Sequence, residues 1–300
     1  MKIQFINKLN ESTLVEDKQV KFGGEVNPKY GWCVIYAGGP ASGKSSSEKY
    51  NIPIVGKKLD ADEFKSVGFK NKETGEIDPG FVKKFEGGKY YNKILNDPKI
   101  GGDESKMDIN DADYVQAAHK ALDPFIDKVK DNMRSLGNYN DPRRLPNIIF
   151  DQTSKNIDKL TRQVLEVKRA GYKVAIVWVL TDIEKNLKAF KKRNEEGRRM
   201  PASLFMDIHP KVFNTMISVF DTPELLDALD EFWVVINSYK SQKTAKQQVK
   251  QIRSENVYHI DLVPDGLKKE KAVWKLIQKS LSDLEFYKEL STDEKDEEEK

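Results

Sequence analysis

Nine consecutive residues carry the densest chemistry in the sequence: Gly38, Gly39, Pro40, Ala41, Ser42, Gly43, Lys44, Ser45 and Ser46. Within them Gly38, Gly43, Lys44 and Ser45 fall at the spacing G-x-x-x-x-G-K-[ST], the phosphate-loop or Walker A pattern. A polyphosphate is held by backbone N–H groups at close range, which requires a turn without bulky side chains, and Gly38, Gly39 and Gly43 meet that requirement. Lys44 has the reach for the β- and γ-phosphates, and the Ser45 hydroxyl is a fitting ligand for Mg2+. The stretch is expected to bind a nucleoside triphosphate.

Three further groups of residues have chemistry that fits such a ligand. Asp60 and Asp62 close a short extended run. One of them can serve as the base for a substrate hydroxyl, and the other can cap the helix expected from Glu63. Asp151 ends the apolar run Asn147 to Phe150. It suits Mg2+, bound directly or through water, and equally suits a turn in which Thr153 or Ser154 caps the next helix. Six bases, Lys188, Lys191, Lys192, Arg193, Arg198 and Arg199, crowd around a glycine before Pro201. Guanidinium groups over a phosphate loop would offset the charge of a transferring phosphoryl group, whereas the three lysines read as a solvated helix face. His209 is read as a structural helix residue without a chemical role.

The elements that must hold these residues are legible from patterning. Gly31 to Ala37 reads as a buried strand feeding the loop, and a short helix from Lys44 is interrupted by Asn51 to Pro53. Further strands are expected at Asn147 to Phe150, Lys173 to Leu180, Phe232 to Ile236 and Val257 to Leu262. Helices are expected at Ile157 to Ala170, after a cap at Thr181 or Asp182, at Ala202 to Phe220, at Thr244 to Arg253 and at 267–290. Alternation of strand and helix implies an α/β fold with a doubly wound, mainly parallel sheet flanked by helices, whose ligands sit outside the C-terminal strand ends. Residues 1–290 form the expected domain, with residues 1–30 as an N-terminal arm and 66–146 as a helical insertion that shapes a substrate pocket. The insertion holds one strong helical pattern, Tyr114 to Val129, and the aromatics Phe81, Phe85, Tyr90 and Tyr91, which have the rings to stack on a base or sugar and read more readily as core of a helical cap. Residues 291–300 read as a disordered charged tail.

Composition bounds the function classes. The chain has 300 residues, 38% hydrophobic and 33% charged, with a net charge of +3. The last eight residues hold six acids and two bases, so the remainder carries a mild +7 that suits anionic substrates without marking the chain as a nucleic-acid binder. One cysteine, Cys33, excludes an internal disulfide and sits where a small buried hydrophobe belongs. No signal peptide or membrane span is evident, so a cytoplasmic location and no membrane partner are expected.

Together these stretches resemble the zeta-toxin-like branch of the phosphate-loop kinases. The likeness spans about residues 31–220 and rests on GGPASGKSS, LDADEFK, IIFDQTSKN and an R-x-x-x-x-R-x-x-P formed by Arg193, Arg198 and Pro201. The resemblance implies an ATP-dependent kinase moving the γ-phosphate to a hydroxyl acceptor, with an activated amino-sugar nucleotide as the implied acceptor. In the family motif D-x-D-x-F the second acid is the proposed base, which falls on Asp62, and the two lid arginines fall on Arg193 and Arg198. The chain departs from the family at the third strand, with Asp151-Gln152-Thr153 for acid-Gly-Thr, and in its long 66–146 region. A kinase acting on nucleic acid or a nucleotide, at a 5′-hydroxyl or a modified base, is the second reading. An assembly NTPase or a binding module is a third, of another class.

Overall fold

The computed structural model describes residues 19–60, 89–107, 113–114, 116–118, 120–121, 145–195, 202–243 and 249–298. Its strands are β1 (Trp32–Ala37), β2 (Lys57–Asp60), β3 (Ile148–Asp151), β4 (Lys173–Leu180), β5 (Glu231–Lys243) and β6 (Val249–Ile260). They form one sheet in the order β2-β3-β1-β4-β5-β6. The first five run parallel, and β6 pairs antiparallel to β5. Parallel neighbours need crossovers, and helices lie between the strands in sequence: α1 (Lys44–Asn51), α2 (Lys89–Leu95), α3 (Ile157–Arg169), α4 (Ile183–Glu195), α5 (Ala202–Ser218) and α6 (Pro223–Ala228); α7 (Gly266–Lys269) and α8 (Lys271–Glu298) follow β6.

The central strands are apolar without alternation because both faces of the sheet are covered. Successive side chains leave on opposite sides. Cys33, Ile35, Ile176, Trp178, Phe232 and Val234 join one core with residues of α3 to α8, while Trp32, Val34, Tyr36, Val177, Val179 and Val235 join a second. Among the described residues the second face packs against Ile52 after α1 and against Val20 and Phe22 of the N-terminal arm. Two polar clamps hold that arm. Asn147, buried, accepts from Trp32 N at 3.0 Å through Oδ1 and donates through Nδ2 to the carbonyls of Pro28 at 2.6 Å and Val55 at 3.1 Å. Glu231 accepts from Gly23 N at 2.6 Å and from Trp233 Nε1 at 2.8 Å.

Within the insertion, Tyr91, Ile94, Ile100, Met107, Tyr114, Ala117, Ala118 and Ala121 form a third apolar cluster of their own. Tyr91 is buried there and its phenol donates to Glu104, so this aromatic is core, as its pattern implied. Phe81, Phe85 and the helical positions from Leu122 to Val129 lie outside the described residues.

Three expectations are corrected. Residues 249–253 are strand, not helix: lysine and glutamine have ample helix propensity, but the ladder with β5 overrides it, with Arg253 opposite Tyr239 and Ile252 opposite Lys240. The closing helix, expected to span 267–290, is described as far as Glu298, because a helix already nucleated extends readily through lysine and glutamate. The cap of α3 is Asn156, whose Oδ1 accepts from Lys159 N at 2.8 Å, so neither Thr153 nor Ser154 has that task.

Candidate functional site

The site begins where β1 delivers its last residue at the C-terminal edge of the sheet. Gly43 has φ 87°, a left-handed conformation that glycine adopts without strain, and it is the N-cap residue of α1. Ala41 is left-handed too, with φ 60°, two positions before Gly43. The first turn of α1, which holds Ser45 and Ser46, contains no acidic residue, leaving the positive end of the helix uncompensated by its own side chains.

Lys44 reaches back over the loop. Its Nζ donates to the Gly38 carbonyl at 2.9 Å and lies 3.9 Å from Asp151 Oδ1. The side chains are only 17% and 8% exposed, so the pair is poorly screened by solvent. Asp151 arrives there because β3 pairs with β1 in the register Tyr36 to Asp151, and Gln152 N donates to Tyr36 O at 3.1 Å immediately beyond. The Gln152 side chain donates to Gln163 of α3 at 2.9 Å and to Ser154 at 3.2 Å, which fixes the turn where the resembled family has glycine. Burial, then the carboxylates of Glu48 and Asp151, push the Tyr36 phenol above its ordinary range, so a second acid on α1 shares this neighbourhood. The β2–β3 register sets the Asp60 backbone beside that of Asp151. Asp62 and Arg198 lie outside the described residues, and Arg193 is on α4 near its end.

Three side chains that the sequence reading did not place at the loop hold it from behind. Thr181, just past β4, donates through Oγ1 to the Ser42 carbonyl at 2.8 Å. Asn237, on β5 one residue beyond the last β4 pair, donates through Nδ2 to the same carbonyl at 2.8 Å. His209 Nε2 lies 3.0 Å from the Pro40 carbonyl, which can only accept, so the neutral ring carries its proton on Nε2. Burial holds the His209 pKa down to about 4, with the Lys44 charge adding to the depression and the Pro40 contact opposing it. The ring stacks at 4.2 Å on Phe205. It fills the space beside Gly39, where an added Cβ would stand 2.5 Å from Nδ1 and 2.7 Å from Nε2. Signals for these residues were present: Thr181 and Asn237 are the polar residues that follow the apolar runs ending at Leu180 and Ile236, and His209 falls four residues after Phe205 and three before Val212 on the apolar stripe of α5.

Asp182, not Thr181, caps α4, with Oδ1 accepting from Glu184 N at 3.1 Å. Its other oxygen accepts from Lys279 of α8 at 2.8 Å, and that lysine, together with the caps, holds the Asp182 carboxyl below its usual range despite burial. The start of the helix that carries Arg193 is thereby tied to the body of the fold. Among the described residues no group of three or more His, Cys, Asp or Glu could hold a metal, and no helix is long and apolar enough to cross a membrane.

No protein family matches the sequence, and no curated protein matches it. Among solved structures, the chain is similar to one from the PezAT chromosomal toxin–antitoxin system of the human pathogen Streptococcus pneumoniae, at 13% identity and a TM-score of 0.40 over 94% of each chain. It is similar to a chain of the AvrRxo1-ORF1:AvrRxo1-ORF2 complex with sulphate ions, at 13% identity and a TM-score of 0.40, over 83% of this chain and 64% of that one. The same complex with ATP gives 14% identity and a TM-score of 0.38, over 80% of this chain and 61% of that one. The chain thus spans under two thirds of the AvrRxo1 chains it matches. The likenesses concern overall fold, and the chemistry of the site is read from its own residues.

Proposed function

We propose that the protein is an ATP-dependent phosphotransferase that moves the γ-phosphate to a hydroxyl. The observation that carries this reading is the position of Lys44. It stands at the N-terminus of α1, on a loop with two left-handed residues, with its ammonium between the Gly38 carbonyl and the Asp151 carboxylate. A lysine so placed serves a phosphate chain laid along the loop amides.

In this reading the backbone of Gly38 to Ser46 cradles the polyphosphate, and Lys44 follows charge onto the β–γ bridge. The acceptor hydroxyl gives its proton to the Asp62 carboxylate as its oxygen bonds to the γ-phosphorus. The bond from that phosphorus to the bridging oxygen breaks, and ADP leaves with the electron pair. Arg193 and Arg198 neutralise the charge spread over the transferring group. Mg2+, a hard cation that takes oxygen ligands, fits the strand-end carboxylate of Asp151 beside Lys44. Ser45 and Asp151 would hold it, and bound there it would supply further neutralisation of the phosphates.

For the acceptor, a sugar nucleotide follows from the motif resemblance. A nucleic acid is favoured by a different observation: the β5–β6 hairpin sequence from Tyr239 to Arg253 contains Lys240, Lys243, Lys246, Lys250 and Arg253 and no acid. Incubation with γ-labelled ATP and a panel of sugar nucleotides, nucleosides, DNA and RNA identifies whichever gains label. Steep loss of acceptor affinity between low and moderate salt supports the polyanion, and a flat response the small molecule. Lys44→Ala and Asp62→Asn are each expected to cut transfer by orders of magnitude with the circular dichroism spectrum unchanged. Full transfer by Asp62→Asn would remove that residue from its role.

A further inference from the structure

The peptide groups of the loop are held from outside it. Every peptide bond among the described residues is trans, so in each planar unit the N–H points opposite to the C=O. The Pro40 carbonyl is directed at His209 Nε2, and the N–H of Ala41 therefore points away from α5. The Ser42 carbonyl is directed at Thr181 Oγ1 and Asn237 Nδ2, and the N–H of Gly43 points away from these two side chains. A carbonyl oxygen can accept two hydrogen bonds, and that of Ser42 accepts one from Thr181 just past β4 and one from Asn237 on β5. Thr181, Asn237 and His209 are each nearly inaccessible to solvent. Buried hydrogen bonds of this kind resist reorientation, because turning the peptide over would leave a desolvated donor without an acceptor.

We infer that Thr181, Asn237 and His209 are positioning residues that hold the carbonyls of Pro40 and Ser42 inward, so that the amides of Ala41 and Gly43 are already aimed outward before a polyphosphate arrives. The inference rests on the loop being the phosphate site proposed above. Its content is specific to this chain: three side chains on β4's end, β5 and α5 set the affinity of the loop for the phosphate chain without touching the ligand. Pre-set donors spare the ligand the ordering cost that a slack loop would charge on binding.

The test compares the full chain with Thr181→Val, Asn237→Leu, the double variant Thr181→Val/Asn237→Leu, His209→Phe and His209→Gln. Calorimetry measures binding of ATP and of inorganic tripolyphosphate, and thermal unfolding is measured on the same samples. Each single loss of a donor is expected to weaken tripolyphosphate binding by about three- to tenfold, the span of one net hydrogen bond. The double variant is expected to lose more than the product of its singles, because either donor alone can still hold the shared carbonyl. His209→Gln, which keeps an N–H donor, is expected to retain most of the affinity that His209→Phe loses, although Phe preserves the ring packing on Phe205. Loss of thermal stability with unchanged tripolyphosphate affinity would overturn the inference and leave the three as fold residues only. If the unmodified protein takes up neither ATP nor tripolyphosphate, the phosphate-site reading itself fails, an outcome separate from equal binding by all the variants.

Discussion

Gly39→Ala sets two effects of opposite sign against each other. Gly39 has no positive φ, so alanine fits its backbone, and the stiffer unfolded chain alone would stabilise the fold by about 0.4–1 kcal/mol. Against this, the new Cβ would stand 2.5 Å from His209 Nδ1 and 2.7 Å from Nε2, roughly 1 Å inside ordinary contact. The ring has nowhere to go, being packed on Phe205 at 4.2 Å, bound to the Pro40 carbonyl and buried. Overpacking of this kind costs about 1–3 kcal/mol, so the clash wins and Gly39→Ala is expected to lower stability by about 1–2 kcal/mol. His209→Ala removes the obstacle while leaving a cavity, so the double variant Gly39→Ala/His209→Ala should be more stable than the sum of the singles implies. The expected coupling is about 1–2 kcal/mol. Urea unfolding of the four proteins closes the cycle. Strict additivity, or a Gly39→Ala protein at least as stable as the unmodified chain, would refute the packing argument.

The buried imidazole makes stability depend on pH with a definite sign. The unfolded chain protonates His209 near its ordinary value of 6.5, whereas the folded protein resists until about 4, so the unfolded state binds more protons in between. Stability from this residue is therefore present above pH 6.5 and is lost as pH falls toward 4, by about 3 kcal/mol in all. His209→Gln should flatten that part of the unfolding profile, and an unchanged slope would contradict the assignment. At the opposite edge of the sheet, Asn147→Ala would strip the acceptor from the buried Trp32 amide and the donor from two carbonyls, and should cost roughly 2–3 kcal/mol in urea unfolding. A loss under 0.5 kcal/mol would mean that water replaces the clamp.

Local patterns were legible wherever neighbours in sequence decide the outcome. The strand from Lys173 to Leu180 is where its unbroken apolar run implies, and α3 ends at Arg169, within a residue of the expected Ala170 and just before Gly171, whose φ of 89° is left-handed. The loop and its glycines were legible for the same reason, since the turn geometry is local. What failed was pairing at a distance. The stretch from Thr244 to Arg253 reads as helix by propensity, and only the ladder with β5 makes its described part, from Val249, a strand. His209 reads as one more residue of an amphipathic helix, and nothing near it in sequence reveals that the other side of its contact is Pro40, 169 residues away.

The sequence by itself determined that a glycine-rich turn ending in Gly43 and Lys44 follows a buried strand and that acids close the neighbouring strands, because glycine conformations and hydrophobic periods act over a few residues. The tertiary structure alone decided that β1 lies between β3 and β4, which brings the Asp151 carboxylate to 3.9 Å from the Lys44 ammonium and sets Thr181, Asn237 and His209 behind the loop. That order depends on which apolar faces bury one another across more than a hundred residues of chain, a choice made by the packing of the whole sheet rather than by any segment of it.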